Sequence, residues 1–203
     1  MIKLMAAAAA ALVAALTPTG FKAGKATAPV TLVEYGSLHC THCAHFAEQG
    51  MPEIASRVRA GKLQFEFRPF LIFPQDIPAT LIAKCVPAGQ RLAFIEDYYR
   101  NSVAVTERVR AAAGELNALR EQGVPVLNRR VVAVGQMKPI AARHGLPAAA
   151  VDRCVSDARN MAWLENMQAQ AKAAGVTGTP TFEVNGERMR LAGVDDLRAA
   201  LDR

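Results

Sequence analysis

Pro29-Val30-Thr31-Leu32-Val33-Glu34-Tyr35-Gly36-Ser37-Leu38-His39-Cys40-Thr41-His42-Cys43 is the stretch on which the reading of this chain turns. Residues 30–35 are apolar on both faces with one misfit, Glu34, which is the pattern of a buried strand. Residues 36–39 supply a turn. Ala44, Phe46, Ala47 and Met51 then fall at the spacing of an amphipathic helix. Two cysteines three apart at a strand-to-helix junction can close a small disulfide ring. The junction also exposes the first sulfur to the unpaired N–H groups of a helix start. A thiolate is stabilised there, so the cysteine becomes a good nucleophile and leaving group.

Downstream of the motif, Pro52 is expected to kink or restart the helix. Ile54 and Val58 continue its apolar face, and Gly61 ends it. Leu63, Phe65 and Phe67 alternate with Gln64, Glu66 and Arg68, which reads as a second strand. Residues 75 to about 150 carry mostly helical patterns broken by prolines and glycines, and Val131–Val134 is ambiguous between helix and a short strand. Residues 156–174 predict a long helix ended by Gly175. Val176-Thr177-Gly178-Thr179-Pro180 is a loop, residues 181–184 a strand, and Asn185-Gly186 a two-residue hairpin turn. Residues 188–191 return, and residues 195–201 close the chain as a helix with acids in its first turn. Strands at both ends must share one sheet with the helical section inserted between them. The expected fold class is therefore α/β, a central mixed sheet flanked by helices with an inserted helical domain.

Composition narrows the function classes. The chain has 203 residues, 51% hydrophobic and 21% charged, enough for a sizeable core and against global disorder. Its net charge of +6 is scattered among arginines, which is no nucleic-acid signature. Four cysteines are too few for a disulfide-framework protein. Lys3, the apolar run Leu4–Leu16 and the breaks at Pro18 and Gly20 have the layout of an export signal. Residues 1–20 are assigned to it, with a cut as late as Ala28 allowed and an uncleaved anchor as the alternative. An exported chain can keep disulfides. The expected organisation is residues 28–74 and 151–203 as one core, with residues 75–150 as the helical insertion.

This order, with Cys40-Thr41-His42-Cys43 near the start and Gly178-Thr179-Pro180 near the end, resembles the DsbA-like branch of the thioredoxin superfamily. The matching segments are Ala28–Tyr35 and Gly175–Phe182, the latter followed by Val184-Asn185-Gly186. The resemblance covers roughly residues 28 to 203. It implies a thioredoxin-like core, disulfide exchange with unfolded secreted proteins that carry free thiols, and reoxidation by a quinone-linked membrane partner. It also implies a periplasmic location and no cofactor beyond the redox-active disulfide. The short spacing between leader and first strand favours a monomeric oxidase, because the family's true isomerases carry an N-terminal dimerisation region. An isomerase or reductase of the same fold is the near alternative. A non-catalytic module, either metal-binding or a holdase for secreted chains, is the distant one.

The residues expected to carry chemistry follow from these readings. Cys40 is the nucleophile and Cys43 the resolving thiol. His42, between them, favours the Cys40 thiolate when cationic; the family's strong oxidants carry Pro-His here, and this chain keeps only the histidine. Glu34, buried in an apolar strand, is the candidate proton acceptor for Cys43, and it stands where the superfamily places an acid, six positions before the first cysteine. The resemblance implies a cis bond at Thr179-Pro180 facing the cysteines, with the Thr179 backbone free to pair with an extended substrate. Cys85 and Cys154 read most economically as a structural disulfide, against a second redox relay or two free thiols. His39 and His45 are assigned no role. No metal is expected: the histidines beside this single CxxC lack a second ligand pair.

Overall fold

The computed structural model describes residues 12–203. The first part of the proposed leader, residues 1–11, lies outside the described residues. One sheet contains β1 (Ala15–Leu16), β2 (Phe21–Ala23), β3 (Val30–Gly36), β4 (Leu63–Pro69), β5 (Thr181–Val184) and β6 (Glu187–Met189), in the order β1-β2-β4-β3-β5-β6. β3 and β4 are parallel and joined across α1 (Thr41–Arg59), whereas the other pairings are antiparallel. This is the expected mixed sheet. The hairpin turn also falls where the sequence places it, with Asn185 and Gly186 both at positive φ, the requirement of a tight turn matched to strand twist.

The helical layer comprises α2 (Asp76–Cys85), α3 (Arg91–Ala111), α4 (Ala113–Ala118), α5 (Val124–Val134), α6 (Met137–Arg143) and α7 (Ala148–Ser156). The chain returns to the sheet through α8 (Ala158–Ala173) and ends in α9 (Val194–Leu201). Cys85, closing α2, is disulfide-bonded to Cys154 of α7.

Three details differ from the sequence reading. α1 runs through Pro52 without a break; the carbonyl that proline leaves unpaired belongs to Glu48, an exposed residue that water can serve. Val131–Val134 is helical, because Pro125 sets the first turn of α5 and Val131 and Val132 face the core. The expected 156–174 helix instead starts at Ala158, capped by the Asp157 carboxylate, which accepts from the Arg159 N–H at 2.8 Å.

The sheet also begins upstream of the first expected strand. Phe21 is fully buried and packs on Trp163 at a centroid distance of 5.8 Å, and the Trp163 indole donates to the Thr17 carbonyl at 2.9 Å. Thr17 and Thr19 both donate to Glu66, which also pairs with Lys22 and Arg68. Glu66 is thus buried and satisfied, although it alternates with the apolar residues of β4. Phe21→Ala should lower unfolding stability by about 3–5 kcal/mol. Denaturant unfolding checks this; a change under about 1 kcal/mol would place the segment outside the folded core.

Candidate active site

The site forms where β3 turns into α1. Glu34 sits between Phe67 of β4 and Phe182 of β5, its partners across the sheet, and both rings are buried. The backbone then turns, with Cys40 N–H donating to Ser37 C=O at 3.1 Å. Cys40 is the N-cap of α1 in extended geometry. Its Sγ accepts from the Cys43 N–H at 3.4 Å, the place a serine or aspartate oxygen takes in an ordinary cap. Both cysteines are free thiols in this structure. Cys40 keeps 8% exposure, while Cys43 has none.

That geometry separates the two sulfurs chemically. Cys40 is lowered to about 5, first by the hydrogen bond from the Cys43 thiol, with the Thr179 side chain and the Cys43 and His42 backbone N–H groups adding to it against the opposing effect of burial. Cys43 is pushed far up, chiefly by burial, then by its bond to Cys40 and the nearby Glu34 charge. One sulfur is anionic at neutral pH and the other is a thiol. Glu34, fully buried, is raised to about 8, first by burial and then by the Cys40 thiolate. Its Oε1 has no hydrogen-bond partner among the described residues.

Thr179-Pro180 is a cis peptide, as the resemblance implies. As a thiol, Cys40 donates to the Thr179 carbonyl at 3.5 Å. The Thr179 hydroxyl is buried and makes no hydrogen bond of acceptable geometry, yet it lies close enough to favour the anion at both sulfurs. His42 is exposed on the first turn, and its backbone N–H is what reaches the Cys40 charge. His45 is also exposed and meets Gln49 on its own helix. In front of Cys40 lies a groove of about 450 Å³, with the half-exposed Ile72, Phe73 and Val103 in its walls. Among the described residues, no three His, Cys, Asp or Glu side chains converge as metal ligands would.

Sequence reasoning missed a second cluster. His39 is buried, its Nδ1 2.9 Å from Asp76 and its Nε2 3.1 Å from the Tyr98 hydroxyl. Asp76 also accepts from the Ser37 hydroxyl and from the backbone N–H groups of Ile72 and Phe73. One carboxylate therefore ties the turn before Cys40 to the loop that carries the groove wall. Asp76 and Tyr98 lie too far from His39 in sequence for any local pattern to have joined them.

A family model described as thioredoxin matches residues 16–203. The chain is similar to a protein of Rickettsia prowazekii named a protein-disulfide oxidoreductase, with 26% identity over 182 residues, 89% of this chain and 59% of that protein. A Rickettsia felis protein of the same name is 25% identical over 89% of this chain and 58% of its own length. The chain thus spans under two thirds of the length of these relatives. Among solved structures, a protein-disulfide isomerase from Novosphingobium aromaticivorans superposes with a TM-score of 0.75 at 24% identity, covering 90% of this chain and 97% of that one. Wolbachia pipientis alpha-DsbA1 superposes at 0.67 with 20% identity, covering 89% and 88%. These structures establish a shared fold, a thioredoxin-like sheet with an added helical layer.

Proposed function

This chain belongs to the thioredoxin family, and on that premise we propose that it is an exported thiol:disulfide oxidoreductase that introduces disulfides into secreted proteins through Cys40 and Cys43. The observation that carries the reading is the opposite treatment of the two sulfurs: Cys40 lowered to about 5 at a helix start, Cys43 raised by burial. A pair whose reduced form is stabilised as a thiolate gives up its disulfide readily, which is what makes an oxidant.

The reaction runs in two exchanges. A client thiolate attacks Cys40 Sγ, the Cys40–Cys43 bond breaks, and Cys43 leaves with the electron pair. Because burial disfavours its anion, Cys43 takes a proton from Glu34. The client's second thiolate then attacks its own sulfur in the mixed disulfide, and Cys40 leaves as the stabilised thiolate. The client gains a disulfide and the enzyme ends as a dithiol. The groove beside Cys40 and the Thr179 backbone would hold an extended client chain. Reoxidation falls to a quinone-linked membrane partner, the compartment is the periplasm, and the working form is a monomer. No cofactor is assigned beyond the cysteine pair.

An isomerase is the second reading, favoured by Thr179 before the cis proline and by the fold likeness to a protein-disulfide isomerase. Equilibration with glutathione separates the readings: an oxidase should poise near about −120 mV, an isomerase near about −180 mV, and a reductase near about −270 mV. In the same samples, ultraviolet titration of the Cys40 thiolate should give a midpoint near 5. A midpoint in the ordinary range around 8.5 would remove the basis for an oxidant.

A further inference from the structure

The loop between β4 and α2 has no slack in its backbone. The Phe70 N–H donates to the Gly36 carbonyl at 2.8 Å, and the Leu71 N–H donates to the Gln168 side chain at 2.8 Å. Gln168 donates back to the Leu71 carbonyl at 3.3 Å. The Ile72 and Phe73 N–H groups both donate to Asp76 at 2.9 Å. Pro74 has no N–H, so the loop's donors from Phe70 onward are tied down as far as the proline. Yet this fixed loop exposes two large apolar side chains, Ile72 and Phe73. A segment held so firmly presents them as a preformed surface, and a preformed surface loses little entropy on binding.

Phe73 lines two hollows. One is the groove in front of Cys40. The other is a cleft of about 350 Å³ in the helical layer, with an apolar wall drawn from Ile77 of α2, Val109 of α3, Leu116 of α4, and Val124 and Leu127 of α5. Phe73, Thr106 and Arg110 line both, so the two are continuous. Six large apolar residues are exposed among the described residues, and four of them, Ile72, Phe73, Val103 and Val124, lie on this pair of hollows. Clustered apolar exposure marks a binding surface, whereas scattered exposure does not. The charged residues on the cleft wall are Arg110 and Arg120, and neither side chain makes an ion pair or hydrogen bond with the described residues. No acid lines the cleft, so its charge is complementary to an anionic neighbour.

We propose that this cleft is a second client subsite, taking a bulky apolar side chain of an extended client whose neighbouring residue is acidic, a role that rests on the exchange reaction proposed above. The client cysteine meets Cys40, and its chain passes over Ile72 and Phe73. The apolar side chain enters the cleft, and the carboxylate beside it pairs with Arg110 at the junction. The subsite takes no part in the sulfur chemistry. It holds the client equally before and during exchange, so it acts on KM more than on kcat. Because the loop fixes the wall relative to Cys40, the anchor fits at a narrow range of spacings from the reacting cysteine and not at others.

Reduced dithiol peptides test this. One series carries a Phe-Asp pair at successive positions along the peptide, and a control carries Ser-Lys instead. Each is mixed with the oxidised full-length chain, and peptide disulfide formation is followed by acid quench and mass spectrometry. Within a narrow window of positions, Phe-Asp should lower KM roughly tenfold against the control, with little change in kcat. Val124→Asp puts an acid at the first residue of α5, where a helix start favours it. There it repels the client's acid and breaks the apolar wall, so the preference for Phe-Asp should fall to within about twofold. A preference that survives Val124→Asp, or an equal gain at every position, overturns the subsite. So does a parent chain that oxidises both peptides with KM values within about twofold, which leaves the exchange reading standing. A parent chain that oxidises neither peptide overturns the exchange reading and the subsite with it. A parent dimer that Val124→Asp dissolves gives the cleft to a second copy and overturns the client assignment. Should Val124→Asp unfold, hydrogen exchange of the unmodified chain with a serine-for-cysteine Phe-Asp peptide decides. Protection in α4 and α5 supports the subsite, and protection confined to the Cys40 groove overturns it.

Discussion

Replacing Cys43 with alanine should stop the reaction at the mixed disulfide and lower turnover by at least roughly a hundredfold. Cys40 remains at the mouth of α1 and still attacks disulfides, but the thiol that would release the partner is gone. Non-reducing gels or mass spectrometry should therefore show partners bound through Cys40, whereas a metal-binding module would trap nothing. The substitution also predicts a change at Cys40 itself. The leading influence on its low value is the hydrogen bond from the Cys43 thiol, and the backbone N–H groups of His42 and Cys43 survive the change. The Cys40 midpoint should move up from about 5 yet stay below the ordinary thiol range. A variant whose Cys40 titrates as in the parent would show that the helix start alone holds the charge.

Glu34→Gln should have opposite effects on rate and on stability. It removes the proton donor to Cys43, so the step in which Cys43 leaves should slow by roughly ten- to a hundredfold. In the parent that step should fall off as pH rises through about 8, where the carboxyl ionises, and the variant should lack this limb. Stability behaves differently. A carboxyl raised from 4.5 to about 8 on folding holds its proton more tightly in the native state. The native state therefore has its full advantage below pH 4.5 and loses it progressively as pH rises to about 8. The loss amounts to roughly 4–5 kcal/mol for a fully buried group. The glutamine variant should therefore match the parent near pH 4 and exceed it at pH 8 and above in urea unfolding. Parallel stability curves across that range would show that Glu34 has an ionised partner in the native protein.

Much of this site is legible in the sequence because its parts are local. A CxxC at a strand-to-helix junction, an acid inside an apolar strand and a Thr-Pro loop before a hairpin are each readable within a few residues. The cis bond at Pro180 and the Cys85–Cys154 pairing follow from resemblance and compartment, and the structure contains both. What the sequence hides is assembled from distant pieces. Asp76 joins Ser37, His39 and the Ile72–Phe73 loop, and Tyr99 of α3 closes onto β3 where that strand carries glycine at position 36. β2 is hidden for another reason. It has three residues, too few for alternation to show, and it follows an apolar run that reads as a leader. Val131–Val134 shows packing overruling β-branched propensity.

The margins of the sheet bear on what other strands could add to it. Any long unpaired rim would invite other strands to add on. Among the described residues, one rim is the two-residue β1, and the other is β6, which presents Glu187 and Arg188 to solvent. Brevity at one side and charge at the other make both poor templates for further pairing. On the proposed function, an extended client is thereby left the groove beside Cys40 as its berth, while the flanks offer little to polymer growth.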